Sequence, residues 1–426
     1  MCGILYSQNK EKLKNLSLLK LRGPEGFKDY ENELGYFAHS MLNTIGPNTP
    51  QPYQTSKGIL LYNGSIYNDV LQNDTKWIGQ QLDDKVSDCI DLIKSLNGEY
   101  ALIYVNEKHI IFCVDHFDQR NLWFYFDQQE KILTISSIPS IVKKKHGVAW
   151  RVEGNKIYVV DKNDYTMNIF TNKEWNLDQN INHFDFVFEK FEKAVKERYI
   201  PGTSALLLSS GYDSGVINCA AHKIHGTIDS VCDPTYEVIE TIKERMFVHK
   251  CVILKNDVQH LEKQKMFRDI ITSNELWEDA SVEPLINIIK KYVQKKNKKI
   301  LLFGTGGDEI YNDHHEQVMG FRLGRTNGIF PGNLKIVWPW YNHSGRLEMN
   351  NTRNDFICGF FGIEARNPLL DVQLVQSWLN TTHKLKNKSY KSWMQIYMDQ
   401  ENYPYTKKKV HWGEPDYLPE PWKITR

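Results

Sequence analysis

Residues 209–214 read Ser-Ser-Gly-Tyr-Asp-Ser and follow directly on the apolar run Ala205-Leu206-Leu207-Leu208. Hydroxyls, a glycine and a carboxylate at the end of a buried strand suit the binding of an anion. Backbone amides at the start of a following helix, helped by hydroxyls, make a phosphate site, and "GVINCAAHKIH" can form that helix. The alternative is a serine-rich cap on an ordinary helix. An aspartate beside phosphate is repelled unless a divalent cation lies between them, so Asp213 implies Mg²⁺ if the loop holds a nucleotide. No G-x-x-x-x-G-K-[ST] occurs, so this is not a Walker A loop. A second apolar run, "KILLFGTGG", ends in glycines and is followed by Asp308. A different chemistry is available at Cys2. Once the initiator methionine is removed, an α-amine of reference pKa roughly 8 lies beside the thiol and can serve as its base.

Two kinds of element must position these groups. From 1 to 172 the chain reads as short strands with frequent turns, for example "EYALIYVNEKHIIFCVD" (99–115), where "VNEKH" joins two β-branched runs as a hairpin. This half is expected to be an antiparallel β-sandwich flanked by helices. Beyond the polar stretch 171–181, Phe184, Phe188, Phe191 and Val195 recur at helical spacing. Continuous apolar runs then alternate with helices, as central strands of a parallel sheet do. The expected fold class is therefore α/β in two domains, 1–172 and 173–426, the second a parallel α/β sheet with added helices.

The chain has 426 residues, 41% of them hydrophobic and 25% charged, with 53 basic and 52 acidic side chains. Such a length suggests more than one domain. A net charge of +1 provides no global field toward nucleic acid or membrane. No apolar run reaches the roughly 18 residues that span a bilayer, and a cytoplasmic location is expected. The seven cysteines form no C-x-x-C pair and are odd in number, against both zinc and a disulfide framework. "HHEQVMG" lacks the second histidine of H-E-x-x-H, which excludes that metalloprotease motif.

In order, "CGIL", "RGPE" (22–25), "AH" before "SML" (38–42), "QP" (51–52), "YNGSIYN" (62–68), "SDC" (87–89), "SSGYDS" (209–214), "FGTGGDE" (303–309), "GIEARNPLLD" (362–371) and "YTKKKVHW" (405–412) resemble glutamine-hydrolysing asparagine synthetases. The resemblance spans most of the chain. It implies a class II, Ntn-hydrolase-like glutaminase domain and an ATP-pyrophosphatase domain of the adenine nucleotide α-hydrolase type. On that pattern Cys2 attacks the glutamine amide, while Asn63 and Gly64 form the oxyanion hole. Asp88 holds the α-ammonium, with Arg22 and Ser65 serving the same glutamine. ATP is held by Leu208, Ser209, Ser210, Gly211, Asp213 and Ser214 and by Gly304, Thr305 and Gly306. Asp213 and Asp308 share Mg²⁺. Lys409, with Lys407 and Lys408 beside it, matches the lysine that neutralises the phosphates; a bare triple lysine would otherwise read as a solvated face.

Four positions depart from the pattern. Met41 stands where the family has the arginine that grips glutamine's carboxylate, and Ser65 where it has glutamate. Ser210 replaces the first glycine of S-G-G-x-D-S. Thr305 replaces the glutamate of asparagine synthetases or the tyrosine of β-lactam-forming relatives. The reading implied is a glutamine-dependent, AMP-forming amide ligase with aspartate the default acceptor, a homodimer being compatible with it. A related ligase acting on another small-molecule carboxylate is the close alternative, and a non-catalytic binding descendant the remote one.

Overall fold

The computed structural model describes residues 1–11, 13–44, 46–68, 73–82, 85–142, 147–233, 237–248, 251–253, 282–312, 317–318, 321–322, 329–336, 338 and 346–406. Among these, two six-stranded antiparallel sheets lie before residue 172 and one five-stranded parallel sheet after it. The result is a mixed α/β molecule. No described helix is long and apolar enough to cross a membrane.

The first antiparallel sheet is centred on β1 (Gly3–Ser7) and β2 (Gly35–Met41), paired so that Gly3 faces Ser40 and Ile4 faces His39. The second contains β3 (Gly58–Ile66) and β4 (Gly98–Asn106), with Asn63 opposite Ala101 and Gly64 opposite Tyr100. Strand alternation sends residues to opposite faces. Ile4, Tyr6 and Phe37 of the first sheet accordingly meet Ile59, Leu61, Ile103 and Phe112 of the second in a core between them. The even-numbered Leu60, Tyr62, Leu102 and Tyr104 face outward and are covered by α1 (Val86–Ser95) through Cys89, Ile90 and Ile93. That double covering explains why β4 is buried along its whole length.

Helices and the five strands of the parallel sheet build the second half. In chain order they begin with α2 (Asp185–Arg198), β5 (Ser204–Leu207), α3 (Tyr212–His225) and β6 (Ser230–Cys232). Next come α4 (Ile239–Val248), β7 (Cys251–Ile253) and β8 (Ile300–Leu302). Then follow α5 (Gly307–Tyr311), α6 (Arg346–Phe360), β9 (Glu364–Arg366), α7 (Val372–Asn380) and α8 (Ser392–Gln400). Sheet order is β7-β6-β5-β8-β9, all pairs parallel. The order reverses between β5 and β8, so the loops leaving these two strands part and open a crevice at their carboxyl ends.

One face of this sheet, Leu206, Ile300 and Leu302, packs on α2, α3, α7 and α8. The other face is shared with the antiparallel half. Ala205, Val231, Leu301 and Ala365 lie in one cluster with Phe356 and Ile357 of α6 and with Leu5, Tyr36, Ala38 and Trp123. Trp123 stacks on Phe356 with ring centroids 5.2 Å apart. The two halves thus meet through a common apolar core.

Candidate functional site

Cys2 lies one residue ahead of β1 and is half-buried. Its backbone N–H donates to Asn63 Oδ1 at 3.0 Å, and its Sγ contacts Leu42, whose N–H lies 3.3 Å from the sulfur. Burial pushes the thiol's pKa up, so the neutral thiol is favoured. Because Asn63 accepts through its oxygen, its Nδ2 is turned the other way, and this buried donor has no partner among the described residues. Gly64 beside it adopts φ +143°, and a Cβ there would stand 2.0 Å from the Glu99 carbonyl oxygen. Only glycine fits at that point of the ladder. A buried amide donor without a partner among the described residues, on a residue bonded to the backbone of a cysteine, could serve an oxyanion.

Met1 completes the surroundings. Its amine donates to the Ile363 carbonyl at 2.9 Å, and burial pulls its pKa down to about 5. While Met1 is attached, Cys2 carries a peptide N–H rather than an amine. His39, opposite Ile4, is buried and neutral, its pKa pulled down to about 3 by burial. Met41 closes β2, where an arginine would be needed to pair with a carboxylate.

Arg22 and Ser65, expected beside glutamine, are instead taken up by the other half of the chain. The fully buried Arg22 donates to Asp355 of α6 at 2.7 Å and lies over the Phe356 ring. Ser65 donates to Glu364 at 2.9 Å and accepts from Arg366 at 3.1 Å. A desolvated guanidinium needs its carboxylate, and a buried hydroxyl needs both its partners; neither group is left for an α-carboxylate. Asp88 sits in the first turn of α1, exposed, and accepts from the Ser87 hydroxyl on its own helix.

Ser65 is one end of a buried polar chain between the halves. Arg366 binds Glu364 at 2.8 Å; Arg120 binds Glu99 at 3.1 Å; Arg198 binds Glu99 at 2.7 Å and Asp371 at 3.1 Å. Burial would push the Glu364 carboxyl up, yet Arg366 and Arg120 bring it down to about 2.

The second centre lies at the crevice between β5 and β8. Leu208 extends β5, its N–H bonded to the Val231 carbonyl. The Ser209 and Ser214 hydroxyls are 2.7 Å apart; Ser214 Oγ accepts from the Ser209 N–H, and Ser209 Oγ from the Gly211 N–H. Gly211 caps α3. Asp213 projects from the first turn of that helix against the loop after β8. A Cβ on Gly304 would stand 2.8 Å from Asp213 Cβ, and one on Gly307 2.1 Å from its Cγ. These two glycines let the loops touch. Gly306, at φ +97°, bends the chain into α5, and its N–H is taken by Glu309 at 3.0 Å. Thr305 accepts from Asn354 of α6 at 3.0 Å.

Asp213 and Asp308, assigned from sequence to one metal, converge on a single cation: Lys391 Nζ lies 2.5 Å from Asp213 Oδ1 and 2.7 Å from Asp308 Oδ1. Burial raises the Asp213 carboxyl to about 6; Lys391 opposes that shift and Asp308 adds to it. The Lys391 ammonium is held well above its usual range by the two carboxylates despite full burial. Two oxygen donors already gathered around one positive charge suit Mg²⁺. No group of three or more His, Cys, Asp or Glu that could hold a metal ion occurs among the described residues.

Sequence reasoning missed Lys391, which sits in a polar run at φ +47° just ahead of α8. It also missed Glu237, which accepts from the Ser210 N–H and hydroxyl, and Arg245 of α4, which donates to the Ser209 and Gly211 carbonyls. No local pattern marks any of the three. Lys407, Lys408 and Lys409 lie outside the described residues.

No protein-family model and no curated protein matches the chain. Among solved structures it is similar to a glutamine phosphoribosylpyrophosphate amidotransferase from B. subtilis, complexed with ADP and GMP. Identity is 11%, 64% of this chain and 89% of that one are covered, and the TM-score is 0.34. It is also similar to an allosteric regulatory enzyme of purine biosynthesis, at 12% identity, 61% and 82% coverage and a TM-score of 0.33. With overlap at that level, what this chain does has to be reasoned from its own side chains.

Proposed function

We propose that the chain is a glutamine-dependent amide ligase that adenylates a carboxylate with ATP, with aspartate the default acceptor on sequence resemblance. One observation carries the reading: two carboxylates from the first turns of two separate helices, at the point of strand-order reversal, gather around the Lys391 ammonium beside a serine-lined helix start. A crevice so built suits a metal-bound polyphosphate. Asp213 and Asp308 would hold Mg²⁺, which when bound neutralises phosphate charge. Ser209, Gly211 and Ser214 would line the phosphates, and Lys391 would keep the two carboxylates facing each other.

Chemically, an acceptor carboxylate oxygen attacks the α-phosphorus of ATP and pyrophosphate leaves. The poor leaving group of a carboxylate thereby becomes AMP. At the other centre, loss of Met1 would turn the N–H now 3.0 Å from Asn63 into an amine. That amine takes the thiol proton, the sulfur attacks the glutamine amide carbon, and the oxyanion falls to Asn63 Nδ2 and Gly64. The protonated amine returns that proton to the amide nitrogen, ammonia leaves with a thioester formed on Cys2, and water hydrolyses the thioester to glutamate and the free thiol. Ammonia then attacks the acyl-adenylate, gives up a proton, and AMP departs from the new amide.

A second reading, the same chemistry on a different carboxylate, is favoured by Thr305. Its short neutral hydroxyl is bonded to Asn354 and cannot supply the charge of a glutamate. Pyrophosphate release from ATP and glutamine, followed over a panel of carboxylates, separates the two. Release with aspartate supports the first reading, and release with another acid alone supports the second. No release with any acid, glutamine or ammonium being supplied, sinks both.

A further inference from the structure

Ser210 stands where the resembling loops carry glycine, and it is completely buried. Its N–H donates to Glu237 Oε2 at 2.6 Å and its hydroxyl to the same oxygen at 2.5 Å, while Ser210 Oγ accepts from the Val238 N–H at 3.1 Å. These bonds tie the loop to the residues that open α4. Six residues into that helix, Arg245 comes back to the same loop. Its buried guanidinium donates to the Ser209 carbonyl, to the Gly211 carbonyl at 3.2 Å and to the Pro404 carbonyl at 3.0 Å. Gly215 leaves the room, since a Cβ there would stand 2.3 Å from Arg245 Nη2.

The Ser209 carbonyl and the Ser210 N–H belong to one planar trans peptide and point in opposite directions. Arg245 therefore holds the oxygen side of that peptide and Glu237 the hydrogen side. The guanidinium fixes how the peptide is turned, and the carboxylate fills the position the N–H is aimed at. We infer that Glu237 is a built-in anion occupying one donor of the phosphate loop, and that pyrophosphate or the ATP tail binds by displacing it from Ser210 while Arg245 keeps the peptide in place. This rests on the nucleotide reading of the loop and adds a regulation to it: nucleotide affinity is set partly by how firmly Ser210 and Glu237 hold each other. The hydroxyl of Ser210, which a glycine lacks, provides the second bond that secures the carboxylate.

Titration calorimetry of the full-length protein with inorganic pyrophosphate, and separately with ATP, each with magnesium chloride, tests this. Glu237→Gln keeps the shape and removes the charge. Its pyrophosphate dissociation constant is expected to fall roughly tenfold, the worth of one charged hydrogen bond. Ser210→Gly, which removes only the hydroxyl contact, should shift it the same way by about threefold. The double variant should gain no more than Glu237→Gln alone, because both changes release one carboxylate. Unchanged or weaker pyrophosphate binding in Glu237→Gln, with its melting temperature preserved, overturns the inference and leaves the nucleotide reading standing. Should Glu237→Gln fail to fold, Ser210→Gly decides alone, since weaker binding there overturns it equally. If the unaltered protein and both variants bind neither pyrophosphate nor ATP, the nucleotide reading itself falls.

Discussion

The two candidate centres of this molecule are held by different forces. Around Cys2 the groups are neutral and their positions come from backbone: Asn63 and Gly64 lie in a nine-residue strand paired along its whole length, and Gly64 is fixed by a φ no other residue accepts comfortably. Around Asp213 the groups are charged and come from elements far apart in sequence, each held by a side chain of opposite sign. A ladder positions without being consumed, so Asn63 Nδ2 is left over as a donor. Charged side chains position by being consumed: Lys391 is taken up by the two carboxylates, and Glu237 by the Ser210 N–H and hydroxyl, where an external anion would go. The first candidate centre thus keeps a donor without a partner among the described residues, whereas the second would have to exchange an internal partner for an external one.

The sharpest break of this comparison is a crossed pair of variants. Cys2→Ala should abolish ammonia release from glutamine and leave pyrophosphate release intact with ammonium salts, while Asp213→Asn should do the reverse. Loss of both activities in one folded variant would mean a single centre. Next in size, Arg198→Met strips Glu99 and Asp371 of a buried partner and should cost about 3–5 kcal/mol in urea unfolding. Asn63→Ala should lower glutamine turnover about 10²–10³-fold, the usual loss for one oxyanion donor, with pyrophosphate chemistry untouched. A fall below threefold would remove Asn63 from the oxyanion hole.

The smallest effect is a pair of opposite pH slopes. His39 is held neutral, its pKa lowered to about 3, so as pH falls below the ordinary histidine range the unfolded chain takes up the proton first. Its stabilisation is present above that range and lost on acidification. Relative to His39→Leu, the natural protein should lose about 2 kcal/mol between pH 7 and pH 5. Asp213, raised to about 6, has the opposite sign: the folded state binds the proton more readily, so its contribution is present at low pH and fades as pH rises through 6. Asp213→Asn should therefore flatten a stability curve that declines between pH 4 and pH 6. Parallel slopes in the two variants would erase the contrast.

What could be read from sequence follows the same division. The loop 209–214 stands out locally, because a buried strand ending in glycine and polar residues is odd within a few positions, whereas Cys2 alone is a poor signal and Asn63 and Gly64 are singled out only by resemblance. Asp213 and Asp308 were matched as a pair by resemblance, and the structure brings them to one cation. The partners that Arg22 and Ser65 take, Asp355 and Glu364, could not be foreseen because they lie 333 and 299 positions away. Lys391, Glu237 and Arg245 were invisible for the same reason: a lone charge in a polar run looks solvated until the fold shows what it faces. The apolar patterning foretold antiparallel strands and then parallel ones. It could not foretell sheet order, hence the crevice, nor which apolar faces would cover each other.

That last gap concerns the core shared by Trp123, Tyr36 and Ala38 with Phe356, Leu301 and Ala365. Neither half owns a finished surface there. Cut in the stretch before α2, each fragment would present an apolar face to water and clump. The intact chain should melt as one calorimetric unit despite its two sheet systems. Its two candidate centres are therefore joined in inheritance as well as in space, since a substitution that loosens one half weakens the other.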